Sequence, residues 1–575
     1  MKNIRILDND KNGSGRHLSL KYIRLTTVFL AFVAMLASCE FLDYNETEQY
    51  KKQDMLMEVS RMKSILTNIY SYLPNDFSSV GGAMRASASD DAEHVWDISD
   101  IQKFNDGSWN SIVKLDDVWG RMYRGIRTAN IFLEEAPGLT FDDIKYNEGY
   151  SETMAQYEIY PYEARFLRAF YYFELIKRYG DIPLITTILT EEEANNVTPA
   201  SFDDIVEFIV TECDESVPHL QATYSTFFAQ ETGRATKGAA LALKARTLLY
   251  AASPLHNPSN DQAKWARAAR AAKDLIDQFA AQYSPLPTYA NAVNVLTSRE
   301  LIFERREATA RYFEEANTAI GFTGGNTGTC PTQNLVDAYE VKVNATTAIP
   351  FDWNNPAHAA APYANRDPRL ASTVLYNGSI WKTPQIVETW YGGLNAPPKA
   401  NATKTGYYLK KYMVESISLN PINASTAIHY WVIFRYGEVL LNYAEAMNEA
   451  FGPEVAGPAP LDNLTALQAV NVVRTRATMP GFPVGMTQAA FRDRLRNERR
   501  VELAFEDHRF WDIRRWKIGS TTTSIYGVDV TKVDNVLTYV PKLVETRVWD
   551  DKMNLYPIPQ TEIFINGNLE QNQGW

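Results

Sequence analysis

Cysteine is scarce in this sequence, with three among 575 residues, at positions 39, 213 and 330. Three thiols cannot staple a chain of this length, which excludes a disulfide scaffold. Basic residues are outnumbered, 57 Lys and Arg against 69 Asp and Glu, so a protein that binds nucleic acid by neutralising phosphates is excluded as well. Long apolar runs are missing. The one substantial stretch, Leu25–Leu36, has twelve residues, about 18 Å as a helix against about 30 Å of hydrocarbon. Nothing after it reaches eighteen uninterrupted apolar residues, so no membrane-spanning helix is expected. Catalytic signatures are few. The seven histidines (17, 94, 219, 256, 358, 429 and 508) are scattered, with no pair at the i, i+4 spacing of a helical zinc site. No nucleophile elbow or P-loop is present. The glycines at 324, 325 and 328 lead to Cys330-Pro331 and not to a helix, so no phosphate cradle is expected.

What is present begins with a leader. Lys2, Arg5, Lys11, Arg16, Lys21 and Arg24 precede the short apolar stretch, which is the form of a signal peptide. It ends in Leu36-Ala37-Ser38-Cys39, which resembles the lipobox of bacterial lipoproteins, in which the cysteine takes a diacylglycerol and becomes the mature N-terminus. Loss of residues 1–38, with six cations and two anions, takes the net charge from −12 to −16. Each buried acyl CH₂ contributes about 0.8 kcal/mol, so several chains make a stable tether. The expected protein is anchored and not inserted. Cys213 and Cys330, in an amphipathic segment and a Gly-rich loop, are expected to be unpaired.

The body reads as mainly α. Pro161–Tyr179 places Phe166, Phe170 and Phe173 on one stripe and Leu167 and Tyr171 on the next, a helix buried on two faces that closes at Gly180. Lys237–Ala252 ends against Pro254, and Arg435–Ala450 stops before Gly452-Pro453. Their small and large residues resemble tetratricopeptide helix pairs without a fixed period, so degenerate helical hairpins in one compact body with long loop insertions and a few short strands are expected. The largest insertion runs from about Pro285 to Pro421, and insertions of this length are usually functional. The densest charge cluster, Arg496–Arg515, sets Glu502, Glu506, Arg509 and Asp512 at i+3 and i+4 spacings. This predicts pairing along one helical face, an ion-pair network fastening the helix into the body.

Five blocks resemble the SusD/RagB family of nutrient-uptake outer-membrane lipoproteins of Bacteroidetes. They are the lipobox with Phe41-Leu42-Asp43, Ala164–Ile185, Pro331–Glu340, Asn497–Trp516 and Leu555–Trp575. The resemblance covers nearly the whole mature chain. It implies a signal peptide over 1–38, an N-terminal helical region over 39–235, connecting hairpins over 236–300 and a C-terminal region with the insertion over 301–575. It also implies a cell-surface, lipid-anchored protein at the outer membrane that captures an oligosaccharide, or in some members a peptide. Such a protein passes its ligand to a SusC-like TonB-dependent transporter for which it forms the lid. It has no catalytic residues, cofactor or metal.

Sugar binding asks for aromatic platforms under the C–H face of the ring and for Asp, Asn or Arg at its hydroxyls. In SusD-like proteins the loop in the region of Ser87–Asn110 contributes to the glycan site. Trp96 is the first expected platform, with Asp90, Asp91 and Asn105 as polar partners, and Trp109 the second. Arg311, Tyr312, Phe322 and Asn326, just before Pro331, are expected to supply the other half among glycines that let a backbone approach a ligand. Trp353, Trp381 and Trp390 stand in reserve. Two other readings compete: a lipid-anchored glycoside hydrolase, which needs only two carboxylates about 5–9 Å apart, and a helical-repeat scaffold that binds protein alone.

Overall fold

The computed structural model describes residues 58–224, 231–285, 289–291, 293 and 298–575. The leader and Cys39 lie outside the described residues. Ten helices carry the architecture: α1 (Val59–Ser71), α2 (Trp119–Glu135), α3 (Tyr160–Tyr179), α4 (Phe202–Ser216), α5 (Lys237–Ala252), α6 (Gln262–Gln278), α7 (Tyr436–Phe451), α8 (Ala466–Arg476), α9 (Gln488–Glu502) and α10 (Arg509–Arg515). From α2 to α3, α4, α5, α6, α7 and α8 each of them packs on the next, so the body is a series of helical hairpins, mainly α as its periodicity predicts.

The central helix shows why. Pro161 sits in the first turn of α3, where a missing N–H costs nothing. Gly180 ends the helix at φ 72°, its N–H donating to the Ile176 carbonyl at 3.0 Å. Between them every residue from Phe166 to Tyr179 is buried, so α3 is enclosed on all sides and not on two. Such a helix must bury its charges too. Arg168 is held by Glu212 of α4 at 2.7 Å, and Arg178 by Glu174 at 2.8 Å and Asp116 at 2.9 Å. The helix α5 starts on Thr236, whose hydroxyl accepts from the Ala239 N–H. Its Gly238 is obligatory for packing, since a Cβ there would lie 2.5 Å from the Tyr283 hydroxyl.

Strands are short and paired in twos. β1 (Ala92–His94) runs antiparallel to β3 (Thr329–Pro331), and β2 (Leu301–Arg306) to β4 (Tyr430–Arg435). Arg435 thus ends a strand and does not begin α7. β5 (Ser524–Val533) and β6 (Val536–Thr546) form a hairpin over Asp534-Asn535, both at positive φ as a two-residue turn requires. Pro541 stands in β6, opposite Val528. Among the described residues β6 has no second strand partner, and a proline on such an edge removes a donor from any strand that would add there.

The cluster 496–515 departs from its expected form. Phe505 and Asp507 adopt φ of 62° and 60°, which breaks the segment into α9 and α10. Asp512 still pairs with Arg515 on the same helix and with Arg499, each at 2.8 Å, but the other charges reach outward to distant parts of the chain. Glu502 meets Arg369, Arg435 and Arg476, Glu506 meets Arg435 and Lys411, and Arg509 meets Asp90. The network fastens the structure from within.

Cys213 and Cys330 are free and fully buried, and burial pushes the Cys330 thiol up to about 12 and that of Cys213 further. Both thiols are expected to ignore an aromatic disulfide reagent in the native protein and to titrate together on unfolding. Stoichiometric labelling under native conditions would contradict this placement. Among the described residues no helix is long and apolar enough to cross a membrane.

Candidate functional site

The two segments expected to build a ligand site meet. β1 and β3 pair Ala92 with Pro331, Glu93 with Cys330 and His94 with Thr329, and the Val95 N–H extends the ladder to the Gly328 carbonyl at 3.0 Å. Trp96 follows directly. It is half-buried, and among the described residues its ring makes no ring–ring contact. Asp97 beside it is exposed, and Ile98 is 93% exposed. The turn is braced from below. Lys404 reaches Glu93 at 3.1 Å, the His94 carbonyl at 3.2 Å and Asp97, and Gln102 donates to Glu93 and the His94 carbonyl, each at 3.1 Å. A platform held by two anchored side chains loses little entropy when a ring stacks on it. Burial lowers the pKa of His94 to about 4, so its ring is neutral at physiological pH.

The opposite wall is the tight loop 318–328. Asn326 and Thr327 both donate their N–H to the Thr318 carbonyl at 2.9 Å, and Gly325 to the Phe322 carbonyl at 2.9 Å. Gly321 lies so close to the Leu394 carbonyl that a Cβ would come within 2.2 Å of it, and Asn395 donates to the Ile320 carbonyl at 2.6 Å. The loop therefore carries the 390–395 turn with it, where Tyr391 is 67% exposed. The β1–β3 ladder and the close approach of Gly321 to Leu394 thus link the segments 96–98, 323–326 and 391–394 in series. Asn326 is exposed.

Several expected contacts lie elsewhere. Asp90 and Asp91 are buried. Asp90 accepts two parallel bonds from Arg509 at 2.8 Å and one contact from Arg500 at 3.0 Å; burial raises its pKa, but the two guanidinium groups overcome that and hold it at about 2. Asp91 is bound by Arg500 at 2.6 Å, although burial still raises its pKa. Asn105 is buried and spends its amide on the Ser87 carbonyl and Gln102. Trp109 is 2% exposed and wedged between Phe104, Tyr556 and Trp575, with ring centroids 4.8, 5.2 and 4.5 Å away. Phe322 is 6% exposed, a plug under its loop. These five are buried and present no face to a ligand.

Arg311 and Tyr312 open the short helix Tyr312–Asn317, a full helix length from the loop that follows it. Arg311 pairs with Glu315 at 2.7 Å, and half-buried Tyr312 rests edge-on against Phe77 at 6.4 Å. The structure gives neither a contact with Trp96. Of the reserve tryptophans Trp381 is buried, Trp353 donates to Asp337 at 3.3 Å, and Trp390 lies under the Lys532 ammonium at 5.0 Å. The residues missed from sequence are Lys404, Gln102 and Tyr391. Lys404 is some 310 residues from its partners, and no local pattern reveals such a brace.

A cavity of about 500 Å³ bounded by Tyr70, Glu163, Arg234, Glu304 and Arg306 is lined by none of these residues; its charges are paired, Arg234 with Glu163 and Arg306 with Glu304. Among the described residues no group of His, Cys, Asp and Glu could hold a metal ion.

The chain is similar to known proteins along most of its length. Residues 299–575 match the model of the SusD family, and residues 40–249 match a model described as starch-binding, associating with the outer membrane. A SusD-like protein of Formosa agariphila is 24% identical across 93% of this chain and 96% of its own length. A crystal structure of a SusD-like protein from Bacteroides fragilis superposes with a TM-score of 0.75 at 26% identity, covering 92% of this chain and 99% of that one. A second structure from that organism, a SusD-like carbohydrate-binding protein, gives 0.69 at 27% identity over 90% and 100%. These relatives share the tetratricopeptide-like helical fold seen here. With the fold, both family models and relatives in agreement, this chain belongs to the SusD/RagB family.

Proposed function

We propose that this chain captures an oligosaccharide at the cell surface and passes it to a SusC-like TonB-dependent transporter, for which it acts as a lid. Family membership supports carbohydrate binding at the outer membrane. The observation that carries the reading on this chain is the braced Trp96 turn: a half-buried indole without a ring–ring contact among the described residues, followed by exposed Asp97 and Ile98. The C–H face of a pyranose stacks on such a ring, while Asp97 and Asn326 stand ready for hydroxyls. Capture needs binding and closure only, with no covalent chemistry. The lipid anchor at Cys39 would hold the site at the membrane surface.

The test is titration of residues 40–575 against a panel of oligosaccharides, followed by calorimetry and by product analysis. Saturable binding of one glycan class without hydrolysis is expected. Trp96→Ala should weaken it by about ten- to hundredfold, since a stacked aromatic is worth about 1–3 kcal/mol. Trp109→Ala should instead cost about 3–5 kcal/mol of stability and leave the affinity of the folded protein unchanged. Affinity that survives Trp96→Ala would remove the site from this rim, and sugar release would replace capture by hydrolysis.

A further inference from the structure

A second cavity, of about 260 Å³, lies between α2, the segment 183–195 and the C-terminal helix Gln560–Ile565. It shares no residue with the rim at Trp96. Its walls are largely apolar, with Trp119, Tyr123, Ile126, Ile185, Leu189 and Leu569 the main contributors. Most polar groups of those walls are already spent. The Tyr123 hydroxyl donates to the Pro183 carbonyl at 2.8 Å, and Asn130 donates to the Ile185 and Thr187 carbonyls at 3.0 and 3.2 Å. Asn566 donates to the Val197 carbonyl at 2.8 Å.

Two charged groups remain, one at each end. Arg127 reaches the Leu189 carbonyl at 3.2 Å and has no carboxylate partner among the described residues. Glu562, with the Lys114 ammonium near it, is hydrogen-bonded by the Trp119 indole and by Thr561. Its pKa is raised by burial and by the nearby Asp117, whose own partner is Lys114 at 2.7 Å. Trp119 and Arg127 are separated by eight residues of one helix, roughly 12 Å along its axis. The cavity therefore sets an acid at one end and a guanidinium at the other, with an apolar wall between.

We propose that this cavity binds a short apolar peptide of two or three residues with both termini free, its ammonium at Glu562 and its carboxylate at Arg127. Three extended residues span about 10 Å, which matches the separation; a single amino acid falls short of it. A saccharide brings no charge to either end and would bury hydroxyls against walls whose polar groups are satisfied. A fatty acid would use Arg127 alone and lay its chain against the Glu562 carboxylate, desolvating it further without bringing a cation. The proposal is independent of glycan capture, because its residues and its test are separate.

The experiment is calorimetric titration of the protein with the tripeptide Leu-Ala-Leu, its N-acetyl derivative and its C-terminal amide. Saturable binding of the free tripeptide is expected, with each capped form weaker by about ten- to hundredfold. Arg127→Gln should weaken the free acid to the level of the amide, and Glu562→Gln should weaken the free amine to the level of the acetylated form. Gly120→Leu should abolish binding of all three: a side chain there meets nothing closer than Arg124 Nη1 at 3.7 Å, and the helix prefers leucine to glycine, so the variant folds. No saturable binding to the unaltered protein up to about 10 mM, or equal binding of the free tripeptide and its two capped forms, would overturn the proposal.

Discussion

Arg435→Met is expected to destabilise the protein by about 3–5 kcal/mol, the cost of removing one cation from among three buried carboxylates that share too few. Arg435 is 1% exposed and donates to Glu300 at 2.6 Å, to Glu502 at 2.7 Å and to Glu506 at 2.6 Å. These partners come from three places: the residue before β2, the end of α9 and the turn into α10. Arg369 and Arg474 extend the network through Glu498, and Lys411 closes it on Glu506. Without Arg435, Glu502 keeps Arg369 and Arg476, but Glu300 and Glu506 lose their strongest partner, and neither can reach water. Arg311→Met is the contrast, since it breaks a pair with side chains 39% and 51% exposed. It should cost less than about 1 kcal/mol. Urea unfolding of both variants beside the parent checks the pair, and equal midpoints would show that the interior network contributes no more than a surface pair.

The second large effect is on pH. Burial alone would raise the carboxyls of Asp90, Glu174 and Glu445, but their guanidinium and ammonium partners outweigh it and hold each at about 2. A carboxyl depressed below its unfolded value of about 4 contributes stability above that value and loses it as pH falls towards 2. Each such group is worth about 2–3 kcal/mol on that scale. Histidines add a loss at higher pH. Burial lowers His94 to about 4 and His256 to about 3, and His508 is lowered as well. The unfolded chain therefore takes up protons from about pH 6.5 downward while these folded rings stay neutral. Buried carboxyls with raised pKa oppose them: burial raises Asp76 to about 7, against the pull of Arg85, and raises Asp91, Glu163, Glu304 and Asp337 as well, so these groups favour the folded form as pH drops towards 4. The expected profile declines gently below about pH 6.5 and steeply below about pH 4, with several kcal/mol gone by pH 2. Denaturation midpoints at pH 7, 5, 4 and 3 measure it, and a flat line from 4 to 3 would deny the carboxylates their role.

Much of the scaffold was legible because its signals are local. Gly180 and Pro254 stop α3 and α5 where the periodic residues end, and the boundaries of both lie within a residue of expectation. The fate of individual site residues was not legible, for the opposite reason. Trp109 is buried by Tyr556 and Trp575, and Asp90 is neutralised by Arg500 and Arg509, more than 400 positions away. A mixed acidic and aromatic loop reads the same whether it faces a sugar or its own C-terminus. What sequence did give was the neighbourhood, since the segment after Ser87 and the segment before Pro331 adjoin through β1 and β3. The break between α9 and α10 escaped because Phe505 and Asp507 carry no glycine to announce positive φ.

The β1–β3 ladder has a consequence for the order of assembly. It joins Ala92 to Pro331 across more than two hundred residues, and Lys404 braces it from further downstream still. Contacts so distant in sequence must wait until the intervening chain has been made and the loop between them closed. The rim at Trp96 therefore cannot exist in a partly synthesised or truncated chain, however well the early helices have formed. The capture proposed for that rim would then belong to the finished molecule alone, and a chain that stops short of residue 404 lacks the Lys404 brace.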